Sequence, residues 1–328
     1  MCAVFAQDYQ PEKVFTVVVK DSTTADVLLW RDKSGRPAYF SSLLQTGVCT
    51  DGLCYPVDIT IYWDLLGKFS DYKPSEGHPL TKFDHIVFTR NDHARLHEIL
   101  ADGNSLLRDY KPEDMIDTSV KVFSAKVDAV TGATSKTFAE SIVPGAVYTV
   151  YTLWHFVHDE IPGRIISYIQ NHLDDNLIRQ FLWGKPDYQI YVLEHLPKDK
   201  QALYRQALIN LLTDKDTFVP HYALIRLPAT IWSDPAGQEA ILQKFPGTQR
   251  TVQNALLEKF RGQKLSQPAL KQLVSYIPQM DKFQLSKVLF ILQNNDISGL
   301  KKQLTVAADQ LPAAVAEQKK QLLHLTKN

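Results

Sequence analysis

Two patterns of apolar residues divide the chain, and the change between them falls near Gly163. Before that point apolar and polar positions alternate, which is typical of half-buried strands. In the segment YPVDITIYWDLLGKF the apolar positions are Val57, Ile59 and Ile61, and Gly67 closes the segment. Further strands are predicted over Lys13–Asp21, Ala25–Asp32 and Ser119–Val130.

One helix is predicted within this first half, in the segment TRNDHARLHEILADG. Thr89 stands three residues before Asp92, the spacing of a capping box with Asp in the place of the usual Glu or Gln. Leu96, Ile99 and Leu100 then recur at helical spacing. The first half is therefore expected to be an α+β domain.

The second half carries apolar positions at three- and four-residue steps. The segments DKQALYRQALINLLTD, TVQNALLEKFRG, QPALKQLVSYIPQ and DKFQLSKVLFILQNND each predict a helix. Helix pairs of similar length favour a HEAT-like repeat domain, and a plain helical bundle is the alternative because the units do not align to one period. We predict an α+β domain over residues 7–160 and an all-α domain over 161–328.

Composition excludes some classes of function. Lys plus Arg and Asp plus Glu both number 36 in a chain of 328 residues, so the formal net charge is zero. A nucleic-acid-binding protein usually has a basic excess, and none is present. No run of about eighteen apolar residues occurs, so we expect no transmembrane segment.

The first ten residues, MCAVFAQDYQ, resemble the tail of a secretory signal peptide. Val4 and Ala6 occupy the small-residue positions that precede a cleavage site, which would lie before Gln7. We interpret residues 1–6 as a signal-peptide remnant, and a chance hexapeptide is the alternative. Export is the favoured interpretation.

The cysteines support the same interpretation. Cys49 and Cys54 lie in GVCTDGLCYP, with a short Asp51-Gly52 turn between them. An even pair of this kind is typical of a disulfide hairpin in an oxidising compartment, and two reduced thiols are the alternative. A zinc site is disfavoured because two thiols are only half of a ligand set.

Histidines give a weaker indication of metal binding. His93 and His97 lie four residues apart on the predicted helix, with His85 nearby. This spacing can bind a metal, but Ala94 stands where zinc proteases carry a glutamate. We favour a solvated helix face and expect no metal site.

The segment VDAVTGATSKTFAESIV carries the most specific chemistry. A strand is expected to end near Val130, and Thr131 with Gly132 is expected to turn the chain. A helix is then expected from within 133–135 through Val143. The unpaired N–H groups at such a helix start form an anion site, where a phosphate ester on a threonine hydroxyl would be well placed.

The run DAVTGAT resembles the modification signature of the FMN-binding domain family, which includes the flavin-bearing C and G subunits of the sodium-pumping quinone reductase and Rnf complexes. The resemblance implies that a flavin transferase moves FMN from FAD onto Thr134 as a phosphoester. By the same resemblance Thr131, Gly132 and Ala133 form the recognised turn, and Asp128 is the acidic recognition residue. A plain helix N-cap at Thr134 is the alternative.

The resemblance extends over roughly Pro11–Glu160. The segments GVCTDGLCYPVDITIYWDLLGKF, PLTKFDH, ARLHEILADGNSLL and YTVYTLWHF are similar to a group of exported bacterial FMN-binding domain proteins. The tail of the signature is altered at Ser135, Lys136 and Thr137. The helical half lies outside the resemblance.

The resemblance implies a periplasmic or otherwise extracytoplasmic electron carrier rather than a stand-alone enzyme, with covalent FMN as its cofactor and redox proteins as partners. No phosphate-binding loop, dinucleotide fingerprint or nucleophile elbow accompanies it. One alternative is a flavin-dependent reductase with Cys49 and Cys54 as a redox pair, although a structural disulfide is favoured. The other is a cofactor-free helical interaction scaffold.

An aromatic stripe follows the signature at Tyr148, Tyr151 and Trp154, together with His155 and His158. Packing in the core and at its rim is the favoured interpretation. Stacking of these rings against a flavin is the alternative.

Overall fold

The computed structural model describes residues 10–20, 23–48, 56–82, 85–123, 130–134, 138 and 140–327. It has the predicted order of an α+β region followed by an all-α region. The chain forms two compact units, which meet in sequence between Leu177 and Ile178. The predicted boundary lay after Glu160.

The N-terminal unit contains a five-stranded antiparallel sheet in which each strand pairs with the next one along the chain. The strands β1, β2 and β4 were predicted from the sequence. The strand β3, which has serines at two buried positions, and the short polar strand β5 were not. The strands are β1 (Gln10–Lys20), β2 (Thr23–Arg31), β3 (Pro37–Thr46), β4 (Val57–Trp63) and β5 (Phe69–Pro74).

Three helices accompany the sheet: α1 (Arg90–Ala101), α2 (Val147–His158) and α3 (Glu160–Asn171). One face of the sheet buries Phe40, Ile59 and Trp63 completely. The ring of Phe40 lies edge-on to Tyr168 of α3, with the centroids 5.9 Å apart. The indole Nε1 of Trp63 donates to the carbonyl of Val157 over 3.1 Å. The core therefore lies between this face and α2 and α3.

Gly67 closes the turn after β4, as predicted. Its φ is 72°, in the left-handed region that favours glycine. A Cβ at this position would lie 2.8 Å from the Cα of Pro162, so the turn approaches the first turn of α3 closely. Both the backbone conformation and the space therefore require glycine.

The capping box predicted for α1 is confirmed. The Thr89 side chain accepts from the Asp92 N–H, and the Asp92 carboxylate accepts from the Thr89 N–H over 2.8 Å. Burial raises the pKa of Asp92, but hydrogen bonds from Lys82 and Thr89 outweigh it and bring the pKa down to about 2. The carboxylate therefore remains ionised and keeps both cap contacts at neutral pH.

A separate hairpin follows α1 and is formed by β6 (Ile116–Phe123) and β7 (Val130–Thr134). The helix predicted from within 133–135 through Val143 is wrong: the strand continues to Thr134, the described residues from 140 to 146 form turns, and α2 begins at Val147. Pro144 disfavours helical backbone at the residue before it, and Gly145 has a φ of 78°.

The C-terminal unit consists of helices and short 3₁₀ turns in its described residues. The helix α4 (Asp175–Leu182) crosses the division between the units. No described helix is both long and apolar enough to cross a bilayer. The remaining helices are α5 (Pro186–His195), α6 (Arg205–Leu211), α7 (Val219–Arg226), α8 (Pro235–Lys244), α9 (Arg250–Phe260), α10 (Gln267–Tyr276), α11 (Lys282–Gln293), α12 (Lys301–Asp309) and α13 (Ala316–Lys327).

These helices stack in two rows. The even-numbered helices from α6 to α12 each pack on the next even-numbered helix, and the odd-numbered helices from α5 to α13 do the same. The helices α7, α9, α11 and α13 begin 31, 32 and 34 residues apart. The sequence analysis did not find this period, because the apolar positions are not aligned at a constant spacing.

Buried glutamines connect successive members of a row. The Nε2 of Gln284 donates to Gln253 Oε1 over 2.9 Å, and Arg250 Nη1 donates to Gln284 Oε1 over 2.9 Å. In the other row, Gln238 Nε2 donates to the carbonyl of Lys264 over 2.9 Å. Gln284 and Gln238 are each 1% exposed, so these bonds satisfy amides that have no access to water.

The connection through Gln284 predicts a measurable stability effect. Gln284→Ala leaves Gln253 Oε1 and one contact of Arg250 unsatisfied, so the free energy of unfolding should fall by about 2 kcal/mol. Urea unfolding followed by circular dichroism measures the change.

The matched control is Gln293→Ala, an exposed glutamine on the same helix, which should change stability by less than about 0.5 kcal/mol. Equal losses in the two variants would show that the buried connection contributes nothing.

Candidate functional site

The residues of the modification signature lie partly within the described hairpin. Thr131, Gly132, Ala133 and Thr134 belong to β7, with Thr134 as its last residue. Asp128 lies outside the described residues. The expected helix N-terminus, which was to hold the phosphate, is absent at Thr134, since the described backbone there is a strand.

The pairing of the hairpin is irregular beside the signature. Ile116 is opposite Thr134 and Asp117 is opposite Ala133, but the next paired residue, Lys121, is opposite Gly132. Residues 118–120 therefore have no partner in the ladder. Such irregularities are frequent next to functional sites, because they redirect side chains and end regular pairing.

A cleft of about 300 Å³ lies in the N-terminal unit beside the start of this hairpin. One wall is the end of the sheet, where Val17 and Val19 of β1, Thr46 at the end of β3 and Val48 just after it line the opening. The volume is at the lower end of the range of about 300–1,000 Å³ for ligand pockets.

The facing wall comes from α2 and the start of α3. Tyr148, Tyr151, Thr152 and His155 line the cleft, and they lie on one side of α2 at three- and four-residue spacing. Asp159 continues the same stripe. The predicted stripe contained the two tyrosines and Trp154, with His155 beside it, and the structure brings Tyr148, Tyr151 and His155 to one surface.

His155 is held from two sides. Its Nδ1 lies 3.0 Å from the Asp159 carboxylate, and its Nε2 lies 3.0 Å from the carbonyl of Leu107. Both partners only accept hydrogen bonds, so a ring nitrogen bonds its partner only when it carries a hydrogen. The ring of Tyr151 lies against it, with the centroids 4.2 Å apart.

Tyr151 remains a neutral phenol. Burial raises its pKa, and the carboxylates of Asp159 and Glu113 raise it further. The cleft thus presents an aromatic ring with a hydroxyl group, an imidazole and apolar side chains. Such a set is suited to a mostly apolar ligand with a few polar atoms.

The remaining aromatic residues of the stripe belong to the core. Trp154 is 2% exposed, and its Nε1 donates to the carbonyl of Asp102 over 2.9 Å. His158 contacts the Trp154 ring, and its Nε2 lies 2.9 Å from the carbonyl of Leu100. These two side chains attach α2 to α1 and the loop after it.

Among the other candidate residues, His85, His93 and His97 do not line this cleft. Cys49 and Cys54 lie outside the described residues, although Cys49 directly follows the cleft residue Val48 in the chain. His93 Nδ1 lies 2.8 Å from the hydroxyl of Tyr72. Among the described residues no group of three or more His, Cys, Asp or Glu side chains is arranged to hold a metal ion.

The sequence analysis missed several cleft residues. Pro112, Glu113, Val17 and Ile161 reach the cleft from three separate elements. No local pattern identifies them, because they are adjacent only after the sheet, the 3₁₀ turn Pro112–Met115 and α3 have packed. The spacing of Tyr148 and Tyr151 was the one available signal.

The buried histidine beside the cleft predicts a pH effect on stability. Burial lowers the pKa of His158 below its ordinary value of about 6.5. The unfolded chain therefore takes up a proton before the folded chain, and stability falls as the pH drops below about 6.5. Burial also lowers the pKa of His93 in the same direction.

We expect the loss of unfolding free energy between about pH 8 and about pH 5 to be smaller in His158→Gln, which keeps a donor for Leu100 but does not titrate. The double variant His93→Gln/His158→Gln should lose even less unfolding free energy over the same pH range. Urea unfolding across this pH range is the measurement, and an unchanged pH slope in both variants would contradict the assignment.

Comparison with known proteins finds no match: no family model matches the sequence, and no curated protein or solved structure matches it significantly. The functional assignment therefore depends on the sequence signature that ends at Thr134 and on the geometry of the cleft.

Proposed function

We propose that this chain is an extracytoplasmic electron-transfer flavoprotein that carries FMN on Thr134. The observation that carries the proposal is the pairing of Thr134 with Ile116, because Ile116 follows Glu113 of the cleft by only three residues. A 3₁₀ turn rises by about 2 Å per residue, and paired strands lie about 5 Å apart. The Thr134 backbone therefore lies close to the rim of the cleft.

The attachment uses a side-chain hydroxyl of the chain itself. The Oγ1 of Thr134 attacks the FMN phosphorus of FAD, and its P–O bond forms as the phosphoanhydride bond breaks. AMP leaves, and the hydroxyl proton passes to the flavin transferase. The irregular pairing opposite Gly132 supports this assignment, because it interrupts regular strand packing next to the attachment residue.

When bound, FMN would supply electron-transfer chemistry between a reduced donor protein and an acceptor protein. The chain positions the group and sets its surroundings. The pair Cys49 and Cys54 supports a location outside the cytoplasm. Covalent attachment keeps the cofactor on the protein in that compartment.

We infer that the helical unit is a solenoid scaffold for the redox partners. The two stacked rows support a HEAT-like arrangement in preference to a bundle, since helices of a solenoid contact mainly their neighbours in the array. The spacing of 31 to 34 residues is shorter than the about 40–47 residues of HEAT repeats.

Exposed apolar side chains recur along one row of this scaffold. Phe218 and Ile225 lie seven residues apart at α7, and Phe283 and Phe290 lie seven residues apart on α11. Positions seven apart share one face of a helix. The four side chains are between 41% and 76% exposed, which supports a role in contacts with partner proteins.

The attachment is tested by the intact mass of the exported full chain produced together with a flavin transferase. The wild type should gain the mass of one FMN moiety. Thr134→Val should lose the gain completely because it lacks the hydroxyl, and Thr134→Ser should retain it.

Thr137→Val is the matched control, since it removes a neighbouring threonine hydroxyl beyond the seven-residue run DAVTGAT and should leave the mass gain intact. Full labelling of Thr134→Val would place the attachment on another residue.

A flavin-dependent reductase is the second candidate, favoured by the position of Cys49 directly after Val48 of the cleft. In that case the cysteine pair would pass electrons from the reduced flavin to a disulfide substrate. The double variant Cys49→Ser/Cys54→Ser distinguishes the two functions.

We expect the double variant to be reoxidised by ferricyanide, a one-electron acceptor, at the rate of the wild type, because a carrier does not need the thiols. Rapid-mixing absorbance of the reduced protein measures this rate. A loss of reoxidation by a small disulfide, with the ferricyanide rate unchanged, would instead favour the reductase.

A further inference from the structure

We propose that the cleft between the end of the sheet and α2 binds a neutral, planar, fused heteroaromatic ring, and that this ring is the isoalloxazine of the flavin on Thr134. The identity of the ligand rests on the proposed function. The proposal that the cleft binds a flat ring depends only on the residues that line the cleft.

The two walls of the cleft differ in chemistry. The sheet wall provides the aliphatic side chains of Val17 and Val19, and the wall of α2 and the start of α3 provides the rings of Tyr148 and Tyr151. A flat ring placed between them contacts apolar groups on one face and aromatic groups on the other. Aromatic residues favour such stacked or offset contacts.

Two polar side chains of the α2 wall lie along the same stripe as the tyrosines. Thr152 and His155 follow Tyr151 at the next two positions of the stripe on α2. They give hydrogen-bonding groups along one edge of a bound ring, which orients a ligand whose polar atoms are on its rim.

Charge at the rim selects a neutral ring. Three carboxylates line the cleft, those of Glu113, Asp159 and Glu160. Asp159 faces His155, and Glu160 accepts from Arg164 over 3.0 Å. The described lining residues include these three carboxylates and no Lys or Arg, so the rim disfavours an anion inside the cleft. A phosphate is accordingly expected to remain outside, on the hairpin.

The position of the cleft agrees with a tether at the hairpin. Pro112 and Glu113 line the cleft, and the 3₁₀ turn that contains them runs directly into β6. Thr134 is paired with the first residue of β6, Ile116. The attachment residue and the ring site are thus adjacent through one short segment of backbone.

Riboflavin is the probe for the cleft, because it carries the ring but has no phosphate and cannot be attached. The full chain with Thr134→Val, which has no covalent flavin, is titrated with riboflavin and followed by flavin fluorescence. We expect saturable binding with quenching of the fluorescence by Tyr148 and Tyr151. FMN should bind no more tightly than riboflavin, because the rim disfavours its phosphate.

Two further substitutions in the Thr134→Val chain locate the ring. Tyr151→Leu removes a stacked ring and should weaken riboflavin binding by about tenfold, and Thr152→Trp should fill the cleft and abolish binding. Tyr110→Leu is the matched control: Tyr110 is 44% exposed, lies against Phe138 and does not line the cleft. It should leave the riboflavin affinity unchanged.

The outcomes separate this proposal from the proposed function. Riboflavin binding that is lost in Thr152→Trp supports the proposal that the ring binds in the cleft. This holds even if the native chain never gains the mass of FMN, a result that would contradict only the attachment to Thr134. Conversely, a chain that carries FMN on Thr134 but shows no riboflavin binding overturns the cleft proposal. The same conclusion follows if Tyr151→Leu and Thr152→Trp change neither the riboflavin affinity nor the fluorescence of the attached flavin.

Discussion

The hydrogen bond from the indole of Trp63 to the carbonyl of Val157 determines how the N-terminal unit is assembled. Val157 lies in the last turn of α2, where carbonyl groups have no partner within the helix. A fully buried indole N–H also needs an acceptor. The bond satisfies both groups and fixes α2 on the sheet. The stripe of Tyr148, Tyr151 and His155 consequently faces the end of the sheet.

The helical unit depends on a different constraint, the satisfaction of buried amides between successive helices. Gln238 and Gln284 have almost no exposure, yet Gln284 of α11 bonds to Gln253 of α9 and Gln238 of α8 bonds to the carbonyl of Lys264 in the loop before α10. Apolar contacts alone tolerate small shifts along a helix axis, whereas an amide must meet its partner at a defined distance. These glutamines therefore fix the register of the stack, and burial supplies most of its stability.

Strands and helices with a regular local pattern of apolar residues were predictable from the sequence. Those that depend on contacts with distant parts of the chain were not. Alternation identified β4 through Val57, Ile59 and Ile61. Alternation did not identify β3, because the consecutive residues Ser41 and Ser42 are both buried and interrupt the alternation of apolar and polar positions. The helix expected after Ala133 was wrong for a similar reason: pairing with β6 extends the strand, and no local pattern reveals a partner from elsewhere in the chain.

The sequence by itself determined the two-part architecture, the capping box of Thr89 with Asp92, and the signature that singles out Thr134, since each depends on residues close together in the chain. Only the tertiary structure decided that Val17, Tyr151 and Glu113 line one cleft. It also decided which helices stack as repeats. Those relations join residues far apart in sequence, and the packing of whole elements brings them together.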